Sequence, residues 1–430
     1  MRVLVTGAYG FIGAHITAAL LAAGHEVTCA VRGARLDTRF PGIRALACDM
    51  ARDIHPADWR PRLAGIDAVI NAAGILRETR SDSFAAVHEA APLALWQACV
   101  EAGIRRVIQI SALGDPADGA FIASKHRGDA ALAALDLDWL VLRPSLVYSA
   151  RGAYGGTSLL RALAALPGVL VLPAGGRQRL QPIAAEDVAL AVTQALARPA
   201  AARETLALVG PETLTLTAYL MAWRRWLGYG RARVLGVPRA LTRLVAWCGE
   251  KFGSGPLGQT MLRMLERGNH AGAEACARQQ AVLGLAPRPL ARVLAETPSA
   301  VQDRWHARLY FWLPALRLGI AALWLISGLT GWLVPREALQ PLAATTPFDT
   351  ATLLLAARAT ATLDLVLGVL CLGRWQRPRV LGLMLVMLLG YTLGVALLWP
   401  ALWLEPFGGL AKNLPLLAAL AILIVTDERR

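Results

Sequence analysis

The pattern of apolar and polar positions divides the chain into two parts. Up to about residue 150, short apolar runs alternate with helical stretches, and residues 180–210 continue with a strand–helix–strand pattern. This alternation is typical of a parallel sheet with helices on both faces, so we predict an α/β, doubly wound parallel sheet. The apolar runs with the length of β-strands are residues 2–6, 26–31, 43–47, 68–71, 106–111 and 139–143.

After residue 308 polar positions become rare. Four apolar stretches occur at about 310–334, 352–372, 380–402 and 410–425. A transmembrane helix needs roughly 20 apolar residues, and the last stretch is shorter than that. Two of the three tryptophans in the first stretch lie near its ends, as in an interfacial aromatic belt. We therefore predict that the sheet is followed by an all-α transmembrane domain of four helices.

The same patterns predict three segments. Residues 1–215 are expected to form a nucleotide-binding domain, and residues 305–430 the four-helix membrane domain. Residues 216–304 are helical, rich in arginine and interrupted by Gly and Pro. We expect them to form a basic, membrane-proximal segment that completes the substrate side of the first domain.

Basic residues predict the orientation of the membrane domain. The loop at residues 373–379 contains three arginines, Arg304 and Arg308 precede the first apolar stretch, and the chain ends with two arginines. The opposite loops contain only Arg336 and Lys412, together with acidic residues. The positive-inside rule then places both termini in the cytoplasm. No signal-peptide pattern precedes the first strand, so we expect a multi-pass protein of the cell (inner) membrane with a cytoplasmic N-terminal domain.

Composition narrows the class of protein. With 430 residues, 56% of them hydrophobic and 17% charged, the chain is long enough for two or three domains and is more apolar than ordinary soluble proteins. The net charge of +14 comes almost wholly from arginine, which suits a solvated surface beside an anionic bilayer. No basic run with interleaved aromatic residues occurs, so nucleic-acid binding is not expected. The six cysteines and seven histidines show no metal-ligand spacing, and no metal site is predicted.

The strongest candidate for chemistry is the turn after the first strand. Gly7, Gly10 and Gly13 separate that strand from an alanine-rich helix. Glycine permits a tight turn and a close approach of the backbone to a pyrophosphate, and the helix N-terminus presents unpaired N–H groups to the negative charge. The residues expected to bind the dinucleotide here are Gly7, Tyr9, Gly10, Phe11, Ile12 and Gly13.

Residues at the ends of the next strands predict the rest of the cofactor site. Arg32 follows the second strand, where an acidic residue would bind the ribose 2′-hydroxyl of NAD; an arginine there, with Arg35 nearby, suits a 2′-phosphate. We therefore expect NADP(H) in preference to NAD(H), the alternative being that both are ordinary surface arginines. A carboxylate for the adenine amino group and a wall of small residues complete the predicted set: Asp49, Met50, Ala72, Ala73 and Gly74.

Over about residues 1–215 the chain resembles the short-chain dehydrogenase/reductase superfamily, in its extended or atypical branch. The resemblance rests on TGAYGFIG at residues 6–13, NAAG at 71–74, LRPSLVY at 142–148 and QPIAAEDVA at 181–189. The nearest sub-group looks like that of the 39-kDa-type accessory subunit of respiratory complex I and related quinone-linked proteins. The C-terminal part resembles the DoxX-like four-helix family, partly through residues 406–409 and 412–415, and residues 301–310 resemble the junction of such fused proteins.

The resemblance implies a catalytic Ser, Tyr and Lys, with the tyrosine four residues before the lysine. Ser111 and Lys125 match two of these positions, but Phe121 stands where the tyrosine is expected, and its ring has no ionisable proton. Lys125 is still expected to hold the nicotinamide ribose, and the resemblance places Pro144 at the cofactor.

Because Phe121 stands in place of the expected tyrosine, two functions remain open. The first is an NAD(P)H-dependent oxidoreductase acting on a lipophilic substrate, a quinone or an isoprenoid lipid, protonated through water or Ser111. The second is a catalytically silent nucleotide-binding scaffold or assembly factor of a respiratory or quinone-biosynthesis membrane complex. Tyr148 and Tyr154 are expected to pack or to line the cleft. The expected partners are the lipid bilayer, a lipophilic small molecule, and a membrane-complex partner or a second copy of the chain.

Ionisable residues within the apolar stretches are the remaining candidates. Arg317 and Asp364 have similar predicted depths on neighbouring helices, so we expect an ion pair, whereas Arg358 has no obvious partner. These charges either hold the helices together or form a polar site for a quinone or a lipid head group. Glu186 and Asp187 are interpreted as the acidic first turn of a helix, where they favour the helix dipole.

Overall fold

A computed structural model describes residues 1–33, 39–251, 258–373, 377–398, 400–404 and 409–427. The chain divides into two compact units, Met1–Arg308 and Leu309–Arg430. The first unit contains all of the described strands, and the described part of the second is helical.

The strands of the first unit agree closely with the apolar runs. In chain order they are β1 Arg2–Thr6, β2 Glu26–Val31, β3 Ala45–Ala47, β4 Ala68–Asn71, β5 Arg106–Ile110, β6 Asp138–Pro144, β7 Val147–Tyr148, β8 Val169–Pro173, β9 Arg179–Leu180, β10 Ile183–Ala184, β11 Glu204–Leu208, β12 Leu214–Thr215 and β13 Arg233–Val237. The run predicted from residue 43 begins only at Ala45, because the N–H of Ile43 donates to Phe40 O in a turn (3.1 Å).

The helices of the first unit lie mostly between these strands. They are α1 Phe11–Ala22, α2 Pro56–Trp59, α3 Ala91–Glu101, α4 Ala120–Ala133, α5 Gly156–Ala164, α6 Ala185–Ala197, α7 Leu216–Trp226, α8 Arg239–Lys251, α9 Gln259–Arg267, α10 Gly272–Leu283 and α11 Leu290–Glu296. A π-helical segment, Ala85–Ala90, leads directly into α3, and short 3₁₀ turns occur at Arg60–Leu63, Pro116–Asp118 and Ala174–Gly176.

Seven strands form one parallel sheet in the order β11-β6-β5-β4-β1-β2-β3. The chain moves outward from β1 to β3 and then returns to the other side of β1 as β4. In open α/β sheets, ligands bind beside such a reversal, beyond the carboxyl ends of the strands. The predicted doubly wound, Rossmann-type fold is confirmed, and its reversal lies between β1 and β4.

The sheet is buried on both faces, which explains why its strands are apolar at successive positions. Val3 and Val5 belong to the core on one face, together with Ile16 of α1, and Leu4 belongs to the core on the other face, together with Trp96 of α3. Burying one such aliphatic side chain stabilises the fold by about 1.5–3 kcal/mol. The sheet therefore gives the carboxyl edge of β1 and β4 a rigid support.

The second unit begins within α12 Val301–Leu333 and continues through α13 Gln340–Thr345, α14 Thr350–Leu372, α15 Arg377–Leu398 and α16 Asn413–Thr426, with 3₁₀ turns at Arg336–Leu339, Pro400–Leu404 and Leu410–Lys412. Within the described ranges, α12, α14 and α15 are long and apolar enough to cross a membrane, and α16 is shorter. Leu355, Val386 and Leu397 are among the exposed apolar side chains, as expected where the solvent is lipid. A fourth span stays a prediction.

The ion pair predicted between Arg317 and Asp364 is wrong. Asp364 instead accepts a hydrogen bond from Ser327 Oγ (3.2 Å), further along α12 than Arg317. Close packing of α12 on α14 sets this register, since a Cβ added at Gly328 would lie 2.7 Å from Ala361 O. The prediction compared only the depths of the two residues, counted from the ends of the apolar stretches. Such a count contains no information about the packing contact between the helices. Arg358 does have a neighbour, because its guanidinium lies 5.7 Å from the Trp332 ring centre.

Candidate functional site

The turn after β1 has the geometry of a pyrophosphate cradle. Gly7 has φ +65°, and a Cβ added to it would lie 2.8 Å from Ala72 O. A Cβ at Gly13 would lie only 2.1 Å from Gly7 O, so both positions require glycine. Helix α1 begins at Phe11, after Gly10, and no side chain caps its first turn. The first N–H groups of a helix have no partners within it, so this end suits an anion and the residues fit the phosphates of a dinucleotide.

Arg32 follows β2 as predicted, but two carboxylates already hold its guanidinium. Arg32 Nη1 and Nη2 donate to Asp82 at 3.0 and 2.8 Å, and Nη2 lies 3.2 Å from Asp49 Oδ1. The hydrogen bond from Arg32 lowers the pKa of Asp82. The Arg32 side chain is still 50% exposed, so a 2′-phosphate that reached it would compete with Asp82. Arg35 lies outside the described residues.

Another arginine, Arg39, contacts the glycine-rich turn. Arg39 donates a hydrogen bond to the carbonyl oxygen of Tyr9, and the Phe40 ring lies 6.0 Å from the Tyr9 ring. No motif marks Arg39 in the sequence, so its contact with the turn could not be predicted. The other predicted residues here contribute to packing: Tyr9, Ile12 and Ala72 lie at the margin of one core, and Met50 and Ala73 within the other.

Lys125 of α4 reaches the carboxyl ends of β4 and β5. Its Nζ lies 3.2 Å from the carbonyl oxygen of Ala73 and 3.4 Å from that of Ile110. Burial lowers the pKa of Lys125 to about 8, although Asp129 acts in the opposite direction. A Cβ at Gly74 would lie 2.9 Å from Nζ, so this glycine leaves space for the ammonium group. The lysine therefore lies beside Ala73 and Gly74, which were predicted to line the cofactor.

An aromatic cluster occupies the position of the missing tyrosine. Phe121, one turn before Lys125, is buried. The rings of Phe84 and His88 lie 6.1 and 5.7 Å from it, and they stack on each other at 5.2 Å. His88 belongs to the π-helical segment Ala85–Ala90. The wall of the site is apolar at this point, where the resemblance implies a phenol.

His88 does not supply the missing acid. The N–H of Ile75 donates to Nε2 (3.0 Å), so the ring proton is on Nδ1, which faces Ser124 Oγ at 2.8 Å. Ser124 in turn donates to Phe121 O (2.9 Å). Burial and the charge of Lys125 lower the pKa of His88 to about 2, so the ring is neutral near pH 7. Both ring nitrogens are thus used within the fold.

The hydroxyl of Ser111, just after β5, donates to a buried carboxylate. Its Oγ lies 2.8 Å from Asp129 Oδ2, which also accepts from Arg143 Nε (2.9 Å). These contacts connect β5, α4 and β6. The proton of Ser111 is therefore shared with Asp129 in this structure, and a catalytic role for Ser111 stays a prediction.

A further polar cluster connects helix α1, which follows the glycine-rich turn, with α6. His15 Nδ1 donates to Phe11 O (2.8 Å), and Nε2 lies 3.2 Å from Ser149 Oγ and 3.5 Å from Glu186 Oε1. Ser149 donates to Glu186 (2.6 Å). Burial raises the pKa of Glu186, but hydrogen bonds from His15 and Ser149 outweigh it and lower that pKa to about 2. Ser149 and Glu186 both meet Nε2, so this is not a nucleophile–base–carboxylate relay.

The structure gives each of the remaining predicted residues a position in the fold. Glu186 and Asp187 lie in the first turn of α6 as predicted, and Asp187 also binds Arg288 at 2.7 Å. Tyr148 is fully buried, 5.8 Å from the Trp223 ring, and Tyr154 is 52% exposed. Pro144 is the last residue of β6. Within the described ranges, no group of three or more His, Cys, Asp or Glu side chains could hold a metal ion.

Two segments of the chain match known families. Residues 3–209 match the NAD dependent epimerase/dehydratase family, and residues 321–421 match the DoxX-like family. The chain therefore joins an NAD-binding domain of the epimerase and short-chain dehydrogenase/reductase type to a DoxX-like membrane domain, and both resemblances found in the sequence are confirmed.

Three named relatives each match part of this chain. Rat NADH dehydrogenase (ubiquinone) 1 alpha subcomplex subunit 9, mitochondrial, is 27% identical over 260 residues, which are 59% of this chain and 67% of the relative. Photosystem II assembly factor Ycf39 of Synechocystis is 28% identical over 249 residues, 57% of this chain and 73% of the relative. Ceramide reductase of Caulobacter vibrioides is 31% identical over 149 residues, 34% of this chain and 46% of the relative.

Solved structures share the fold. UDP-glucose 4-epimerase of Thermus thermophilus in complex with NAD has a TM-score of 0.52 and 22% identity, covering 72% of this chain and 99% of that one. A nucleoside-diphosphate-sugar epimerase from Staphylococcus aureus has a TM-score of 0.54 and 18% identity, covering 68% and 99%. At these identities the likeness shows the fold alone, which is one that binds NAD.

Proposed function

We propose that this chain, in which an NAD-binding domain precedes a DoxX-like membrane domain, is a membrane-anchored scaffold or assembly factor that holds NAD(P)(H) as a resident ligand. One observation carries the proposal: the chain combines a turn that has the geometry of a phosphate cradle with Phe121, at the position where the resemblance implies the proton-donating tyrosine. The glycine turn and Lys125 provide what a dinucleotide requires. Phe121 has no proton to give, and the protons of His88 and Ser111 are used within the fold.

The relatives support a role beside a membrane complex. One is named as a subunit of NADH dehydrogenase and another as an assembly factor of photosystem II, and each aligns with more than half of this chain. A domain that binds nucleotide without turnover gains stability from its ligand, because a ligand that binds only the folded state shifts the folding equilibrium. In the proposed function this ligand-stabilised surface is what the partner complex contacts.

A second candidate is an oxidoreductase for a lipophilic substrate, a quinone or an isoprenoid lipid. Lys125 favours it, since a pKa of about 8 lets its ammonium group donate a proton near neutral pH. The relative named ceramide reductase aligns with 34% of this chain. Bound NAD(P)H would supply the hydride, and Lys125 would hold the ribose and be the source of the proton.

We also propose that the site prefers NADP(H) to NAD(H). The half-exposed Arg32 after β2 supports this preference, because its guanidinium lies where a 2′-phosphate is expected. Asp82 and Asp49 oppose it by partly neutralising that charge. The preference is therefore expected to be modest.

The experiment that separates the two functions uses the full-length protein in lipid nanodiscs. Nucleotide released on denaturation is quantified, and oxidation of added NADPH is then followed with a panel of quinones and isoprenoid aldehydes. The scaffold function predicts bound nucleotide near one per chain and no turnover; Phe121→Tyr should leave binding nearly unchanged. Turnover that disappears in Lys125→Met would establish the second candidate, and absence of nucleotide binding would contradict both.

We propose four membrane spans with both termini in the cytoplasm. The apolar helix α16 and the distribution of arginines support this topology. Reporter fusions after residue 430 and at Gln340, in the segment between α12 and α14, should report opposite sides. With three spans, a C-terminal reporter would lie on the side opposite the N-terminal domain.

A further inference from the structure

Helix α8 turns its apolar side chains outward. Leu241, Leu244, Val245 and Cys248 follow the i, i+3, i+4, i+7 spacing of one helix face, and all four are exposed. Ala246, on another face, is buried. A surface helix packed on its own core shows the reverse, with the apolar stripe inward and the polar residues outward. No described residue covers the outward stripe of α8, which therefore suits an interaction with a partner.

The strand before α8 also exposes apolar side chains. Val234 and Leu235 of β13 are 40% and 54% exposed, and Pro238 leads from β13 to α8. Leu235 pairs with Val171 of β8, which is also exposed. We define the outer apolar patch as Leu241, Leu244, Val245 and Trp247 of α8. A patch of this kind on a folded domain marks an interaction site.

Positively charged residues flank the outer apolar patch along the chain. Residues 231–251 contain five cations and a single acidic residue, Glu250. The five cations are Arg231, Arg233, Arg239, Arg243 and Lys251, and all are exposed. Lys251 Nζ lies 5.1 Å from the Trp247 ring centre, so a tryptophan and a cation occur side by side. Apolar residues bordered by Lys and Arg are the composition of a segment that lies in the interface of an anionic bilayer.

We propose that the outer apolar patch docks on the surface of an anionic lipid leaflet, with its apolar side chains among the head groups and its cations against lipid phosphates. The membrane helices of the same chain keep a bilayer at high effective concentration for this contact. A second copy of the chain fits less well, because a two-fold contact would bring the five cations of each copy against those of the other. This inference does not depend on the proposed function of the nucleotide site.

The test uses the full-length protein, one copy per nanodisc, with a fluorescent dye on Cys248. This thiol is exposed, whereas Cys276 is half-buried and the other four cysteines are buried. The discs contain phosphatidylcholine alone or mixed with phosphatidylglycerol, and a fraction of the lipids carries a nitroxide on the acyl chain. Docking predicts that the nitroxide lipids quench the dye, and more strongly in the discs with phosphatidylglycerol.

Variants separate docking from other causes. Val245→Glu should remove most of the quenching, whereas Val100→Glu on α3 should not; these two valines have nearly the same exposure, 47% and 46%. Arg239→Gln with Arg243→Gln should remove only the difference between the two lipid mixtures. Absence of quenching in both mixtures would overturn the proposal, as would quenching that is equal in Val245→Glu and in the parent protein.

Discussion

The turn after β1 and the first turns of α4 lie at the same edge of one sheet, but they differ in kind: the turn offers backbone groups, whereas α4 offers side chains. In the turn, the groups expected to meet a ligand are backbone N–H groups, and the side chains matter chiefly by being absent at Gly7 and Gly13. In α4, the groups are side chains: Lys125 is present, and Phe121 replaces a phenol. A site made of backbone is lost only when the turn itself changes, whereas a site made of side chains loses its chemistry through one substitution. This chain has the glycine turn of the first kind, and at Phe121 it departs from the second kind that the family resemblance implies.

The largest effect is expected from Gly13→Ala, which tests the backbone half of the comparison. The added Cβ would lie 2.1 Å from Gly7 O, so the turn must shift. We expect nucleotide affinity to fall at least about 100-fold, roughly 2.7 kcal/mol, in titrations of the full-length protein. Gly230→Ala is the matched control, since a Cβ there meets no atom within 4 Å. If Gly13→Ala bound nucleotide as tightly as the parent protein, the glycine turn would not be part of the nucleotide site.

Lys125→Met tests the side-chain half. The charge-assisted contact of a lysine contributes about 1.5–3 kcal/mol, so we expect nucleotide affinity to fall by roughly 10- to 100-fold. Thermal stability should be maintained or should rise, because the substitution also removes a buried charge that is costly to desolvate. Lys412→Met, at an exposed lysine of the second unit, should change neither quantity. Normal binding by Lys125→Met would show that this segment is aligned wrongly to the family motif.

The pH dependence follows from the low pKa of Lys125. The ammonium group is charged below about pH 8, so nucleotide affinity should fall as the pH rises through 8, and Lys125→Met should show no such fall. The stability change has the opposite sign. Burial lowers the pKa from 10.5 to about 8, so the unfolded chain binds more protons between these values, and the folded state should become more stable there as the pH rises. A flat affinity profile in the parent protein would mean that the charge of Lys125 does not serve the ligand.

The smallest effect is expected at Asp82, which belongs to neither half of the comparison and acts through Arg32. Asp82→Asn removes the carboxylate that binds Arg32 at 2.8 Å, and we expect the ratio of NADP(H) to NAD(H) affinity to rise a few-fold, or by about 0.5–1 kcal/mol. Arg32→Ala should abolish the preference. If neither substitution changes the ratio, Arg32 does not contact the 2′ position.

The sequence was informative where backbone geometry demands a residue type. The glycine turn, the strand ends and the Phe121 departure could all be predicted, because each depends on spacing within a few residues. Asp82 and His88 were missed because they lie 50 and 37 residues from Arg32 and Lys125, the side chains whose chemistry they alter. No local pattern marks such long-range contacts. The error at Arg317 and Asp364 has the same origin, since glycine contacts between α12 and α14 set the register.

The contact between Arg32 and Asp82 also determines how the site would respond mechanically to its ligand. Asp82 bonds to Thr79 and lies just before the π-helical segment Ala85–Ala90, which carries His88. A 2′-phosphate that took Arg32 from Asp82 would release one anchor of this segment while His88 stayed packed on Phe121. Relaxation there would change the aromatic wall. The two cofactors would then differ in the shape that they give to this aromatic wall as well as in affinity.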